Sequence, residues 1–325
     1  MRALVCEAYG PVENLKVADL AVPEPKAGEI LVRVGAAGVS FAALLGMQGK
    51  HQNKPALPYV PGNEMAGHVV KLGPGVTNLT VGQRITTGVG QGAYAEYAVA
   101  TAANAVAIPE TMPYAQATNF PTLYPTAYGA LKWKADMQPG EVLLVHGAGG
   151  GVGLAAVEIG KMLGATVIAT ASSDKKLAIA KARGADHLVR YDREPFRDAV
   201  KRITDGQGAD VVFDPVGGEV FENSMRCINW GARLLVIGFT GGIGLAKTNL
   251  LMIKGATVLG VRAGEAVRRN PALGEVRIKA LSEWAEAGKI RPNVSHRLPL
   301  ENYAQAMRLL IDRKAIGRVA LITRP

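Results

Sequence analysis

The sequence predicts an α/β chain of two domains: a doubly wound parallel sheet and a smaller, irregular β-barrel. Three observations carry this. An apolar run, Val142 to Val145, drives into a glycine cluster, and a helical pattern follows at once from Leu154 to Leu163. Further β-branched runs come after it, separated mostly by helical patterns, as in parallel sheets. The N-terminal third has another texture, with short strands broken by Pro and Gly.

In chain order, strands are expected at Arg2 to Cys6, Ile30 to Val34 and Gly67 to Leu72, with turns at Pro23-Glu24-Pro25 and Gly73-Pro74-Gly75. Val81 to Ile85 and Ala93 to Tyr97 add more all-β character. After the glycine cluster and its helix, Thr166 to Ala171 reads as a strand and Asp174 to about Arg183 as an Ala/Lys-rich helix ended by Gly184. His187 to Tyr191, Val211 to Asp214, Arg233 to Gly238 and Thr257 to Val261 read as four more strands. Helices are expected at Glu194 to Ile203 and about Gly218 to Ile228. The tail is expected to return to the barrel. It contains a helix around Gly274 to Gly288 and a strand from Arg291 to Leu298. An amphipathic helix then has Tyr303, Met307, Leu310 and Ile311 on one face, before a last strand from Arg318 to Thr323. The expected domains are therefore 1–122 with 263–325, and 123–262, with an active site in the cleft between them.

The glycine cluster has the strand–turn–helix context of a dinucleotide fingerprint. Its candidate cofactor-binding residues are Ala148, Gly149, Gly150, Gly151, Val152 and Gly153. Such a turn needs residues without side chains, so that the backbone reaches a pyrophosphate and the helix aims free N–H groups at it. The small positions read Ala148, Gly150 and Gly153, with alanine at the first place, usually glycine. The bland alternative is a plain βα turn. Enzymes preferring NAD usually keep an acid at the end of the second strand, roughly 20 residues after the glycines. Here that place is Ala171-Ser172, with Lys175, Lys176 and Tyr191 nearby as donors. This favours NADPH over NADH. The alternative for the two lysines is a solvated helix face, and for Asp174 a first-turn acid favoured by the helix dipole.

The whole chain resembles a medium-chain dehydrogenase/reductase of the zinc-free quinone oxidoreductase branch, the zeta-crystallin-like enzymes. The matching pieces are Gly28 to Val34, Val60 to Gly67, the fingerprint, and Phe213-Asp214-Pro215-Val216-Gly217-Gly218. The resemblance implies a GroES-like catalytic domain, a Rossmann domain, NADPH as cofactor, and hydride transfer to a small conjugated carbonyl compound. By matched position it puts Ser172, Lys176, Tyr191 and Arg313 around the 2′-phosphate. It puts Thr126 near the nicotinamide, and Gly238 and Phe239 on the loop beside it.

No metal is expected. Zinc needs several convergent Cys, His or carboxylate ligands. The two cysteines, Cys6 and Cys227, lie in unrelated segments, and Ser40 and Asn63 stand near the places where zinc-dependent relatives carry Cys and His. Glu64 alone does not hold zinc. The chain also departs from its own branch. Ser40-Phe41-Ala42-Ala43 replaces the Asn-Phe-x-Asp of many relatives, and Leu45 stands where some enoyl-reducing relatives have Tyr. The remaining candidate catalytic groups are Ser40, His51, Tyr59, Thr126 and Tyr128. The bland reading of the tyrosines is packing. For His51, in the polar segment Gln48 to Asn53, it is a surface loop.

Two cysteines and a strand starting at Arg2 point to a cytoplasmic protein without a signal peptide. No apolar run is long enough to span a membrane. The net charge of +10 suits a polyanion such as NADPH, while the scattered Lys and Arg argue against nucleic acid. The apolar run Thr257 to Val261 is expected at a sheet edge, pairing with its mate in a homodimer. The leading expectation is an NADPH-dependent reductase of a small electrophilic acceptor such as a quinone. The alternatives are an enoyl-thioester or enone reductase, with Arg262 suiting a CoA-type anion, and a non-catalytic crystallin-like or RNA-binding role.

Overall fold

The computed structural model describes residues 1–51 and 54–323. The chain forms two units: Met1–Thr122 with Pro292–Pro325, and Leu123–Arg291.

In the second unit the β-branched runs become β1 (Val142–Val145), β2 (Thr166–Ala171), β3 (His187–Arg190), β4 (Ala209–Asp214), β5 (Ile228–Val236) and β6 (Thr257–Gly260). They form one parallel sheet in the order β3-β2-β1-β4-β5-β6. The order reverses between β1 and β4, and the carboxyl ends of those two strands mark the ligand crevice of such sheets. Leu143, Leu144 and Val145 are fully buried, which is why β1 is apolar at successive positions rather than at alternate ones. Helix α1 (Gly151–Met162) follows β1, α2 (Asp174–Ala182) follows β2 and α3 (Phe196–Ile203) follows β3. Phe196, Val200, Ile168, Val189 and Val212 share one core with Leu144 and Leu234.

Two differences from expectation arise near β5. The helix after β4 stops at Ser224, and the strand starts at Ile228 rather than Arg233. Its register against β4 shifts between Ile228 and Arg233, around Gly231 at φ +73°, so a bulge absorbs residues that resemble a helix end. Helices Leu123–Tyr128, Thr248–Lys254 and Ala263–Arg269 had no clear periodic signal.

The expected domain boundary at 263 does not match the packing. Residues 263–291 cluster with the second unit. Trp284 lies 5.8 Å from the Tyr128 ring, and the Arg277 guanidinium sits 5.6 Å over Trp133. These aromatic contacts hold helix Pro271–Glu286 where amphipathicity alone left its partner open.

The first unit is built on the long strand Glu29–Gly38. It pairs antiparallel with Glu64–Leu72, Tyr97–Thr101 and Arg318–Ile322. Val294–Pro299 extends the sheet beyond Arg318–Ile322, so the tail strands do return to this unit. Ala93–Tyr97, expected as a strand, is mostly a buried connection, and the strand proper starts at Tyr97. Ile30, Val32, Val34, Met65, Ile85 and Leu321 fill its core.

Candidate active site

In the second unit β1 delivers the chain through His146 to Gly147, which adopts φ +57°. Gly150 then caps α1 in an extended conformation, without a side-chain cap. Gly149 and Gly153 are sterically required. A Cβ on Gly153 would lie 2.3 Å from the Gly147 carbonyl oxygen, and one on Gly149 would lie 2.6 Å from the Lys176 side chain. Ala148 is fully buried, and its N–H donates to Thr170 O at 3.0 Å, tying the turn to β2. What remains is an open cradle of backbone at a helix N-terminus, the arrangement that receives an anion.

His146 supports this turn from below. Its Nδ1 is 3.0 Å from Thr170 Oγ1 and its Nε2 is 2.8 Å from Ser224 Oγ. Ser224 donates its own proton to Val220 O at 2.7 Å, so Nε2 carries the imidazole proton and Nδ1 accepts from Thr170. Burial pushes this histidine down to about 3, so it is neutral at ordinary pH.

At the end of β2, Ala171 is buried and no acid follows until Asp174. Ser173 caps α2 by accepting from Lys176 N at 3.4 Å. The Lys176 ammonium lies 3.5 Å from Ser172 Oγ, so these two expected residues meet. Tyr191 is exposed just past β3, the strand that pairs with β2. The sequence reading missed Arg190. It is the register partner of Ala171 and donates from Nη1 to Asp174 at 2.6 Å. Its place as the last residue of the strand beside β2 was the available signal.

Gly238 and Phe239 follow β5 at the switch-point end of the sheet. Asp214, buried at the end of β4, accepts from Val216 N at 2.7 Å and Gly217 N at 3.0 Å. Gly241 N donates to Val216 O at 2.7 Å, so the 215–217 turn and the loop carrying Phe239 are zipped together. Phe239 itself is 65% exposed. Thr126 is half-buried on helix Leu123–Tyr128. Tyr128 on that helix is buried, edge-on to Trp133 at 5.6 Å, which favours its packing reading.

The first unit contains a cleft of about 270 Å³ lined by Ala43, Gly46, His51, Tyr59, Asn63 and Val89, among others. It brings His51 and Tyr59 together. Ser40 stands beside it. Its Oγ donates to Asn63 Oδ1 at 3.0 Å and accepts from Ala43 N at 3.1 Å, capping helix Phe41–Met47. Tyr59 exchanges backbone hydrogen bonds with Cys6, and burial raises its hydroxyl well above the usual phenol range. Gln52 and Asn53 of the polar segment beside His51 lie outside the described residues. Arg313 also belongs to this unit, at φ +56° after helix Tyr303–Ile311.

The zinc-ligand places are otherwise engaged. Ser40 and Asn63 bond to each other, and buried Glu64 pairs with buried Arg318. Among the described residues no three His, Cys, Asp or Glu side chains converge.

Two family models match the chain: an alcohol dehydrogenase GroES-like domain over residues 26–110 and a zinc-binding dehydrogenase over 151–276. A quinone oxidoreductase-like protein 2 homolog of Nematostella vectensis is 35% identical over 99% of this chain and 89% of its own length. The structure of Escherichia coli quinone oxidoreductase complexed with NADPH superimposes with a TM-score of 0.91, at 28% identity over 99% of this chain and 100% of that one. A structure described as an NAD-dependent alcohol dehydrogenase superimposes with a TM-score of 0.92, at 33% identity over the whole of both chains. Fold, fingerprint and relatives agree: this chain belongs to the medium-chain dehydrogenase/reductase superfamily, in its quinone oxidoreductase branch.

Proposed function

We propose that this protein is a zinc-independent reductase that transfers hydride from NADPH to a quinone or a similar conjugated carbonyl acceptor. The observation that carries the cofactor is the meeting of Lys176 with Ser172 at the acid-free end of β2. The Gly149–Gly153 turn fits a pyrophosphate, because without a Cβ at Gly153 helix α1 packs closely on the Gly147–Ala148 backbone and its N-terminus stays open to an anion. When bound, NADPH supplies the hydride; the protein supplies orientation and shelter from water. Ser172, Lys176 and Tyr191 would hold the 2′-phosphate, and α1 would face the pyrophosphate. Thr126 would orient the nicotinamide, with Gly238 and Phe239 on the neighbouring loop.

The cleft in the first unit is the acceptor site in this reading. Its lining is mostly small residues, with His51, Tyr59, Asn63 and Gln91 as polar points. Quinone reduction needs little more, since the product oxyanion takes its proton from solvent. Tyr59 places a phenol in the cleft, although burial raises its pKa and makes it a weaker acid than a free phenol. That gives the enone reading its one support, a proton donor in the cleft. An acceptor panel decides between them. Quinones are expected to oxidise NADPH fastest; turnover confined to enones or enoyl thioesters would overturn the quinone assignment.

A homodimer formed through β6 goes with this function. β6 pairs only with β5 among the described residues, and Trp230 (72% exposed) and Met252 (75% exposed) stand on neighbouring elements of the same unit. Light scattering at micromolar concentration should give twice the 34.1 kDa chain mass, and the monomer mass would refute the dimer. Both cysteines are buried and unpaired, which fits a reducing cytoplasm. No helix among the described residues is long and apolar enough to cross a membrane.

A further inference from the structure

We propose that Arg190 determines cofactor choice indirectly, by neutralising the Asp174 carboxylate beside the end of β2. The inference rests on the NADPH reading above and deepens it. NAD-preferring enzymes end the second strand with an acid. Here that position is Ala171, and its register partner on β3 is Arg190. Paired strands lie about 4.8 Å apart, so the guanidinium stem starts next to the place where the acid would stand.

Asp174, the first residue of α2, is the first carboxylate after β2. Arg190 Nη1 donates to its Oδ2 at 2.6 Å, and Arg193 Nη2 lies 3.3 Å from the same oxygen. The other edge of Arg190 is fixed by Asp192, with Nε 2.8 Å from Oδ1 and Nη2 3.0 Å from Oδ2. This two-point grip holds the guanidinium plane and aims Nη1 at Asp174. Two arginines thus balance two carboxylates, and Lys175 and Lys176 set a positive sign where α2 begins. Without Arg190, Asp174 would keep only the longer 3.3 Å contact from exposed Arg193, and its negative charge two residues from Ser172 would be less fully compensated. A 2′-phosphate held at Ser172 would fall within the screening length of about 10 Å at 0.1 M salt and would be repelled. NADH has no 2′-phosphate and is indifferent.

The test is a double-mutant cycle read by NADPH and NADH dissociation constants at low salt. Arg190→Gln should weaken NADPH roughly five- to tenfold and change NADH by less than about twofold. Adding Asp174→Asn to that variant should restore NADPH to within about twofold of Asp174→Asn alone. Arg190→Met, a second variant without the positive charge, should give the same loss, which Asp174→Asn also cancels. It serves if Arg190→Gln folds poorly. An unchanged NADPH-to-NADH ratio in both variants overturns the inference. So does a loss that Asp174→Asn does not restore, which would put Arg190 on the phosphate itself. Wild-type protein with no preference for NADPH would refute the cofactor reading and the inference with it.

Discussion

Gly153→Ala tests the fingerprint through one methyl group. The added Cβ would sit 2.3 Å from the Gly147 oxygen and 2.9 Å from Ala148 Cα, both backbone atoms. Ordinary contact begins near 3.4 Å, so the turn must move by about 1 Å. It is poorly placed to do so, because Ala148 is buried and held to Thr170 O at 3.0 Å. Overpacking of this kind costs about 1–3 kcal/mol, and the gain from replacing a helical glycine returns ~0.5–1 kcal/mol. The net loss, up to about 2.5 kcal/mol, lowers Tm by up to roughly 10 °C in a unit of this size. A 1 Å displacement of the cradle should weaken NADPH by more than about tenfold. Calorimetric titration and thermal melting with and without NADPH read both effects. Gly264→Ala is the control, because a Cβ there meets nothing within 4 Å. Wild-type affinity and Tm in Gly153→Ala would refute the reasoning, as would an equal loss in Gly264→Ala.

Lys176→Ala should weaken NADPH roughly tenfold or more and barely change NADH, since a charged hydrogen bond to phosphate contributes about 1.5–3 kcal/mol. Equal weakening of both cofactors would show that Lys176 does not serve the 2′-phosphate. His146 is held neutral down to about 3 in the fold, whereas an unfolded histidine takes its proton near 6.5. The unfolded state therefore gains protons first as pH falls, and stability drops from about pH 6.5 towards 3, by about 2 kcal/mol at pH 5. His146→Gln should flatten the part of the Tm-against-pH slope that wild type shows between pH 7 and 5; parallel slopes would contradict it. His51→Ala, Tyr59→Phe and Tyr128→Phe should each lower kcat on a quinone by less than about tenfold, short of the ~10²–10⁴ of general acid catalysis. A thousandfold loss in any one, with NADPH still bound, would reveal a dedicated acid and favour enone reduction.

The nucleotide-binding half was legible because its signals are local. β1 and the glycines announce themselves in consecutive residues, and the same steric limits that make Gly153 necessary make it conspicuous. The acid-free end of β2 was equally readable, and Lys176 does meet Ser172. Arg190 was missed because its partner Ala171 is assigned by strand register, which depends on the sheet and not on spacing along the chain. The boundary at 263 failed for a related reason. Trp284 and Arg277 choose their partners, Tyr128 and Trp133, across about 150 residues, and amphipathic periodicity names a buried face without naming what covers it. In the first unit Ser40, His51 and Tyr59 were picked singly; only the folded cleft brings His51 and Tyr59 together, with Ser40 beside it on Asn63.

The central claim is that this protein moves hydride from NADPH to a quinone. A single-turnover experiment tests it directly: protein saturated with NADPH deuterated at the transferring position is mixed anaerobically with a simple quinone while nicotinamide absorbance is followed. The account predicts loss of one equivalent of NADPH per site, slowed by the deuterium, with a metal chelator making no difference. Absent oxidation with quinones, or oxidation only with an enoyl thioester and deuterium retained on its carbon, would contradict it.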